Sequence, residues 1–206
     1  MYTSAILATL LPLLATSAPT NHLQTRQTTS SDDILNGDCG TVNYIFARGT
    51  TEVGNLGTVI GPGFGRALGQ RMGDVAVQGV DYPANVAGFL AGGSNDGADT
   101  MAELARQSIS QCPGVPIVMS GYSAQVVSKA MDQLTADEAS NVGAVVLFGN
   151  PNGNDPVPNT NAADVEVFCN VGDLICAGTA TILPAHLTYG SDADEAADFV
   201  AGRIQV

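Results

Sequence analysis

The residues best suited to chemistry lie between Val115 and Ser128, where an apolar, β-branched run meets Gly121-Tyr122-Ser123 and then a helical pattern. This order predicts a strand that presents Ser123 on a sharp turn at the start of a helix. A serine in that place can act as a nucleophile in acyl transfer, because free N–H groups of the following turn can face a developing oxyanion. The turn fits G-x-S-x-G only in part, since its fifth position is Gln125. A Gly-x-Ser turn is also a common strand end, so the chemistry depends on partners elsewhere.

A general base and an acid follow the serine along the chain. The chain has two histidines, and because His22 lies in a segment expected to be removed, His186 is the candidate base. Asp173 follows the last predicted strand and lies between the serine and the histidine, the order Ser…Asp…His of α/β-hydrolases. Asp155 and Asp164 are weaker rivals, because neither lies after a strand in a cysteine-framed turn. The alternative interpretation is that His186 is incidental and Asp173 is an ordinary turn former.

Alternating strands and helices must position these side chains. The pattern predicts strands at 42–47, 75–80, 115–119, 143–148 and 164–170, and helices at 64–72, 99–111, 124–134 and 193–204. Short apolar strands alternating with helices are typical of a parallel sheet covered on both faces. We therefore predict a single three-layer α/β/α sandwich with a five-stranded parallel sheet, with the reactive residues at the carboxyl ends of its strands.

Composition limits the classes of partner. The 206 residues are 45% hydrophobic and 13% charged, with a formal net charge of −13, which fits one packed domain. Nucleic acid and anionic membranes are poor partners for such an acidic chain. Solubility alone also explains the charge.

The first residues predict export. The apolar run from Ala5 to Ala15 has the length of a signal peptide, and a transmembrane anchor would need about 18 apolar residues without the interrupting Pro12. We assign residues 1–18 to a signal peptide, 19–38 to a propeptide or flexible segment that is loose from residue 27, and 39–206 to the domain. The chain is then secreted and extracellular.

Four cysteines are compatible with two disulfides in a secreted chain. Three pairings are open, and Cys169 with Cys176 would make a natural local clip. A metal site is disfavoured, because the spacings match no common zinc motif and one histidine remains after processing. We expect neither a metal nor a cofactor.

Two further stretches bear on substrate. The Gly-rich segment Arg48 to Gly63 either places backbone N–H groups near the reactive centre or is a plain connection. The apolar tip Val86 to Leu90, with Ile182, Leu183 and Leu187, either flanks the serine and receives an acyl chain or packs in the core.

From about Cys39 to Val206 the chain resembles the fungal cutinases. The motifs are F-A-R-G-T-T-E-V-G-N-L-G, V-Q-G-V-D-Y-P, C-P-G-V-P-I-V-M-S-G-Y-S, L-F-G-N-P, C-N-V-G-D-L-I-C and H-L-T-Y-G-S-D-A. The resemblance implies a small α/β-hydrolase that cleaves esters of the plant cuticle polyester. The roles that it implies are a catalytic triad of Ser123, Asp173 and His186, oxyanion donors at Thr50 and Ala124, and disulfides Cys39–Cys112 and Cys169–Cys176. We expect a monomer that acts on a polyester or a small ester.

The chain departs from this family at the elbow. The family usually reads G-Y-S-Q-G-A-Q, whereas Ser123 here is followed directly by Ala124-Gln125-Val126, as if Gln and Gly were missing. Two missing residues would rotate the next helix by about 200° unless the turn reshapes, and Gln125 would enter a crowded place.

The elbow leaves several interpretations open. The chain is a working cutinase, an acetylxylan-esterase-like enzyme, or a cutinase-fold protein with impaired or no catalysis. A shifted exon junction in the gene model would also produce this lesion. The remaining alternatives are a non-catalytic binding protein and a membrane-anchored wall protein.

Overall fold

A computed structural model describes residues 28–123 and 125–205 of the chain. Its five strands are β1 (Val42–Ala47), β2 (Val75–Gly79), β3 (Ile117–Tyr122), β4 (Val142–Phe148) and β5 (Val165–Phe168). Its helices are α1 (Gly61–Met72), α2 (Val86–Leu90), α3 (Asn95–Gln111), α4 (Val126–Gln133), α5 (Ala136–Ala139) and α6 (Ala193–Arg203). Three 3₁₀ turns cover Ala162–Asp164, Pro184–Leu187 and Tyr189–Asp192.

The strands form one parallel sheet in the order β2-β1-β3-β4-β5. The apolar, β-branched sequences of the three central strands suit this position, because strands of a parallel sheet are covered on both faces. From β1 the chain adds β2 on one side, and it then adds β3, β4 and β5 on the other side, so the strand order switches between β1 and β3. In open α/β sheets, ligands bind beyond the carboxyl ends of the strands at such a point.

Two apolar layers enclose the sheet. Helices α3 and α4 pack on one face, with Met101, Leu104 and Met131 in the core. Helices α1 and α6 pack on the other face around Phe64 and Leu68. The predicted fold class, a three-layer α/β/α sandwich with five parallel strands, is confirmed.

Some helices and strands begin or end at other residues than predicted, because side-chain caps and strand pairing determine their ends. Helix α3 begins at Asn95 rather than residue 99, because the Ser94 side chain accepts a hydrogen bond from Gly97 N–H. Strand β3 continues to Tyr122, because Gly121 and Tyr122 still pair with β4. Within the segment predicted to be irregular, the short helix α2 is capped by Asn85.

The segment before Cys39 corrects a prediction. Residues 1–27, which hold the predicted signal peptide and the first part of the predicted propeptide or flexible segment, lie outside the described residues. Residues 28–38, predicted to be loose, instead pack on the domain. Asp32 forms an antiparallel bridge with Gln78 of β2, and Ile34 is fully buried in the core. One apolar side chain and backbone bonds to β2 hold this polar segment.

Two disulfides join Cys39 to Cys112 and Cys169 to Cys176, the pairing that the resemblance implies. The first spans 73 residues and ties the start of the domain to the end of α3. Closing a loop of that length is worth about 4 kcal/mol in the chain-entropy account. The second encloses the turn after β5, which contains Asp173.

None of the helices within residues 28–123 and 125–205 combines the length and the apolarity needed to cross a bilayer.

Candidate active site

A cleft of about 270 Å³ opens at the carboxyl edge of the sheet. Ser123 and His186 both line it, and Thr50 and Tyr122 belong to its polar wall. Ile182 and Leu187 form part of the same cleft. The structure thus brings the predicted nucleophile, base and first oxyanion residue to the place where the strand order reverses.

Ser123 occupies a strained turn directly after β3. Its φ of 50° lies in the left-handed region, which a residue with a side chain rarely adopts. The Ser123 N–H donates to the carbonyl of Phe148 at 2.9 Å, which fixes the turn to the end of β4. This is the strand–turn–helix geometry of a nucleophile elbow. Ala124, the predicted second oxyanion residue, lies outside the described residues.

The helix after the elbow keeps its apolar face on the core. Helix α4 buries Val126, Val127, Ala130 and Met131. The apolar face of α4 therefore does not swing toward solvent, the outcome that the sequence predicts where the turn reshapes.

Gln125 occupies the crowded place that the sequence predicts. Its Nε2 donates to Asn152 Oδ1 at 3.2 Å, whereas its Oε1 is buried without a hydrogen-bond partner among the described residues. Room for its side chain comes from Gly93, where an added Cβ would lie 2.9 Å from the Cβ of Gln125. A buried unpaired amide oxygen costs about 1–3 kcal/mol, so the altered turn carries a local energetic cost.

His186 and Asp173 form a buried pair. His186 Nδ1 lies 2.8 Å from Asp173 Oδ2, and the two residues are 2% and 5% exposed. The Tyr122 ring stacks on the imidazole at 5.0 Å, and its hydroxyl donates to the His186 carbonyl at 2.8 Å. These contacts fix the orientation of the ring. Neither Asp155 nor Asp164 hydrogen-bonds His186 in the described part of the chain.

Asp173 remains ionised although it is enclosed. Burial acts to raise the pKa of its carboxyl, but hydrogen bonds from His186, Tyr189 and the Ile175 N–H outweigh burial and lower the pKa. Oδ1 accepts from Ile175 N–H at 2.9 Å, and Oδ2 accepts from Tyr189 Oη at 2.5 Å. A carboxylate in this state can hold the Nδ1–H tautomer and stabilise an imidazolium.

Ser123 and His186 share the cleft without a direct bond. Among the described residues, no hydrogen bond joins Ser123 Oγ to the imidazole of His186, although both residues line the same cleft. Catalytic hydrogen bonds are often long without substrate and tighten when it binds.

The loop after β1 presents a free backbone donor. No acceptor for the Thr50 N–H is found among the described residues, which leaves that group available to an oxyanion. The Glu52 carboxylate holds the loop by accepting hydrogen bonds from the N–H groups of Gly49, Thr58 and Val59. These contacts favour the interpretation of residues 48–63 as a structured loop that presents a backbone donor, rather than as a plain connection.

A buried guanidinium joins this loop to the segment after β2. Arg48 donates to the carbonyls of Val80 and Tyr82 and, through Nε, to that of Glu52. Tyr82 Oη returns a hydrogen bond to the Arg48 carbonyl at 2.5 Å. Charged hydrogen bonds of this kind are strong, so the donor loop is held by side chains that the sequence did not mark as functional.

The apolar residues predicted to receive an acyl chain lie at the surface rather than in the core. Val86, Leu90, Ile182 and Leu187 are 54–68% exposed. Phe89 of α2 lies with Ser123 beside a second, narrower recess. Core packing is therefore not the role of these exposed side chains.

Gly149 is a functional position that sequence reasoning missed. Its φ is 56°, and an added Cβ would lie 2.7 Å from His186 Cε1 and 2.9 Å from Nδ1. The signals in the sequence are its place directly after the predicted strand 143–148 and its membership of the motif L-F-G-N-P.

We expect Gly149→Ala to lower kcat for a short p-nitrophenyl ester by about 10²-fold or more, because the methyl group displaces the imidazole by a fraction of an ångström or more. The matched control is Gly69→Ala on α1, where an added Cβ meets nothing within 4 Å. Equal kcat values for Gly149→Ala and the unaltered chain, with both folded by circular dichroism, would contradict the expectation.

Within the described residues no group of three or more His, Cys, Asp or Glu side chains is arranged to hold a metal ion.

Comparison with known proteins agrees with this geometry. The cutinase family model matches residues 38–204. The chain is 44% identical to a cutinase of Botryotinia fuckeliana over 94% of its length and 92% of that protein. It is 46% identical to a cutinase of Coprinopsis cinerea, over 92% of each chain.

Solved structures also include a cutinase that is similar to this chain. The cutinase of Trichoderma reesei, in complex with a C11Y4 phosphonate inhibitor, matches with a TM-score of 0.79 and 40% identity over 86% of this chain and 80% of that one. An acetylxylan esterase matches with a TM-score of 0.66 over 81% of this chain and 99% of that one, and its 18% identity shows a shared fold alone. By the extent and identity of these matches, the chain belongs to the cutinase family of carboxylic ester hydrolases.

Proposed function

We propose that this chain hydrolyses ester bonds of cutin, the plant cuticle polyester, and of short carboxylic esters, with Ser123, His186 and Asp173 as its catalytic triad. The observation that carries the proposal is the buried His186–Asp173 pair, 2.8 Å apart, at the cleft that Ser123 also lines. The reaction is acyl transfer to serine followed by hydrolysis.

In the first half-reaction, Ser123 Oγ attacks the ester carbonyl carbon while His186 Nε2 takes the hydroxyl proton. Asp173 keeps the other imidazole nitrogen protonated and stabilises the cation. The carbonyl oxygen becomes an oxyanion, which the N–H groups of Thr50 and Ala124 bind. The tetrahedral intermediate then collapses, and the alcohol leaves with the proton from His186.

In the second half-reaction, water attacks the acyl-enzyme. His186 removes a proton from the water, a second oxyanion forms at the same donors, and the carboxylic acid leaves as Ser123 regains its proton. Every step uses side chains and backbone groups, so the proposal needs no cofactor.

The exposed apolar side chains beside the cleft support an acyl-chain substrate. Ile182 and Leu187 line the cleft, and Phe89 of α2 lines the recess beside Ser123, so these side chains can contact the aliphatic part of a polyester. Val86 and Leu90 are exposed on the same helix as Phe89. An acetylxylan-esterase-like activity is the second candidate, because the narrow recess beside Ser123 suits a small acyl group. Release of hydroxy fatty acids from cutin, against release of acetate from acetylated xylan, separates the two substrates.

We also propose that the protein is a secreted monomer. Two disulfides support an oxidising compartment, because such bonds are rare in reducing ones.

Covalent labelling tests the proposed nucleophile. We expect an alkyl p-nitrophenyl phosphonate to release one equivalent of p-nitrophenolate as Ser123 Oγ forms a bond to phosphorus, and mass spectrometry to place the adduct on the peptide that contains Ser123. The Ser123→Ala variant serves as the control and should release none. Absence of the adduct on the folded chain would identify it instead as a cutinase-fold protein whose altered elbow has abolished catalysis.

A further inference from the structure

A buried tyrosine contacts the acid of the proposed triad. Tyr189 is fully buried, and its hydroxyl lies 2.5 Å from Asp173 Oδ2. The same hydroxyl oxygen accepts a hydrogen bond from the Asn170 N–H at 3.1 Å. The Asn170 N–H can only donate and so uses one lone pair of the hydroxyl oxygen, whereas the ionised Asp173 carboxylate can only accept, so the hydroxyl proton is directed at Asp173.

Two donors therefore share one carboxylate oxygen. Asp173 Oδ2 accepts from Tyr189 and lies 2.8 Å from His186 Nδ1, while Oδ1 accepts from the Ile175 N–H. Each additional donor stabilises the negative charge and reduces the proton affinity of the carboxylate. A less basic carboxylate also attracts an imidazolium less strongly.

From this geometry we infer that Tyr189 is a positioning residue that sets the proton affinity of the His186–Asp173 pair and, with it, the pH at which the enzyme becomes active. The inference rests on the proposed function, because it assigns His186 as the base. Tyr189 touches neither the serine nor the substrate, and it acts through Asp173.

The neighbouring titratable groups are compatible with this role. The Tyr122 ring stacks on the imidazole from β3, and Glu52 of the donor loop and Asp192 add negative charge near the two tyrosines. Burial raises the pKa of Tyr189, and its hydrogen bond to Asp173 raises that pKa further. Tyr189 therefore stays a neutral donor at neutral pH and below.

The test is the pH profile of Tyr189→Phe. Without the hydroxyl, Asp173 holds the imidazolium more firmly, so a higher pH is needed to free the base. We expect the acid limb of kcat/KM for p-nitrophenyl butyrate to move to higher pH by about half a pH unit. The value of kcat near neutral pH should fall by at most about threefold with KM unchanged, because half a pH unit changes the fraction of free base by no more than that factor.

An NMR titration measures the effect of Tyr189→Phe on the protonation of His186 without relying on catalysis. In the Ser123→Ala background, the chemical shift of His186 Cε1–H should show a midpoint displaced to higher pH by Tyr189→Phe; a His22→Gln variant identifies the His186 signal. A displaced midpoint in a chain where Ser123→Ala retains full esterase activity would refute the proposed function alone. An unchanged midpoint in an enzyme that depends on Ser123 would refute the role of Tyr189 alone.

The matched control is Tyr44→Phe, which deletes another buried hydroxyl, bonded to the Gly61 carbonyl away from the cleft. Its pH profile should equal that of the unaltered chain. If Tyr189→Phe does not fold, 3-fluorotyrosine at position 189 keeps the hydroxyl and makes it a stronger donor. The acid limb should then move to lower pH, and no movement or the opposite movement would overturn the inference.

Discussion

The Ser123→Ala variant should lose about 10⁴-fold or more of kcat for p-nitrophenyl butyrate, falling to the level left by substrate binding and oxyanion stabilisation. The reason is that the variant retains the His186–Asp173 pair and the cleft but has no oxygen to form the acyl-enzyme. Initial rates corrected for buffer hydrolysis measure the loss. This effect should be among the largest of any single substitution, because the members of a triad act as a unit.

The control is Ser120→Ala, three residues earlier on β3, where a fully buried hydroxyl is deleted outside the cleft. We expect its rate to change less than twofold. Equal rates for Ser123→Ala and the unaltered chain would exclude Ser123 as the nucleophile, whatever the rate itself.

Asp173→Asn should lower kcat by about 10⁴-fold at neutral pH, because the amide forces the wrong imidazole tautomer. If the amide nitrogen takes the place of Oδ2, it donates to His186 Nδ1 and meets the Tyr189 hydroxyl donor. The imidazole then carries its proton on Nε2 and cannot accept one from serine. If the amide is flipped, its nitrogen faces the Ile175 N–H, another donor.

Asp155→Asn and Asp164→Asn are the matched controls, since these two carboxylates also lie between the serine and the histidine in the order of the chain and are the rivals to Asp173 that the sequence offers. Both variants should keep at least half of the activity. A large loss of activity in either control, together with an active Asp173→Asn variant, would show that the substituted control residue and not Asp173 is the acid of the triad. The pH-rate profile of each variant, measured from pH 5 to 9, completes the comparison.

The sequence could predict the sheet because its central strands are short apolar runs with turns at both ends. It could also predict Asp173 and His186 as partners, since strand ends of a parallel sheet converge and the family motifs cover both residues. Ser123, too, is found where a strand meets a helix.

The remaining features depend on contacts between distant segments. Nothing in the local sequence indicates that Tyr189 donates to Asp173, or that a side chain at residue 149 would strike the imidazole. The packing of residues 28–38 was missed for the same reason, because a polar segment with one deeply buried isoleucine has no periodicity. The outcome at the elbow also depends on distant contacts, because packing on the core keeps the apolar face of α4 buried.

The packed segment before Cys39 has a consequence for the integrity of the whole sheet. Strand β2 lies at one edge, and residues 31–33 cover it through hydrogen bonds to Val77 and Gly79. An exposed sheet edge is a template for pairing with another chain. We expect proteolytic trimming up to the first disulfide to leave the catalytic groups in place and yet to uncover a strand edge able to pair with further copies of the chain.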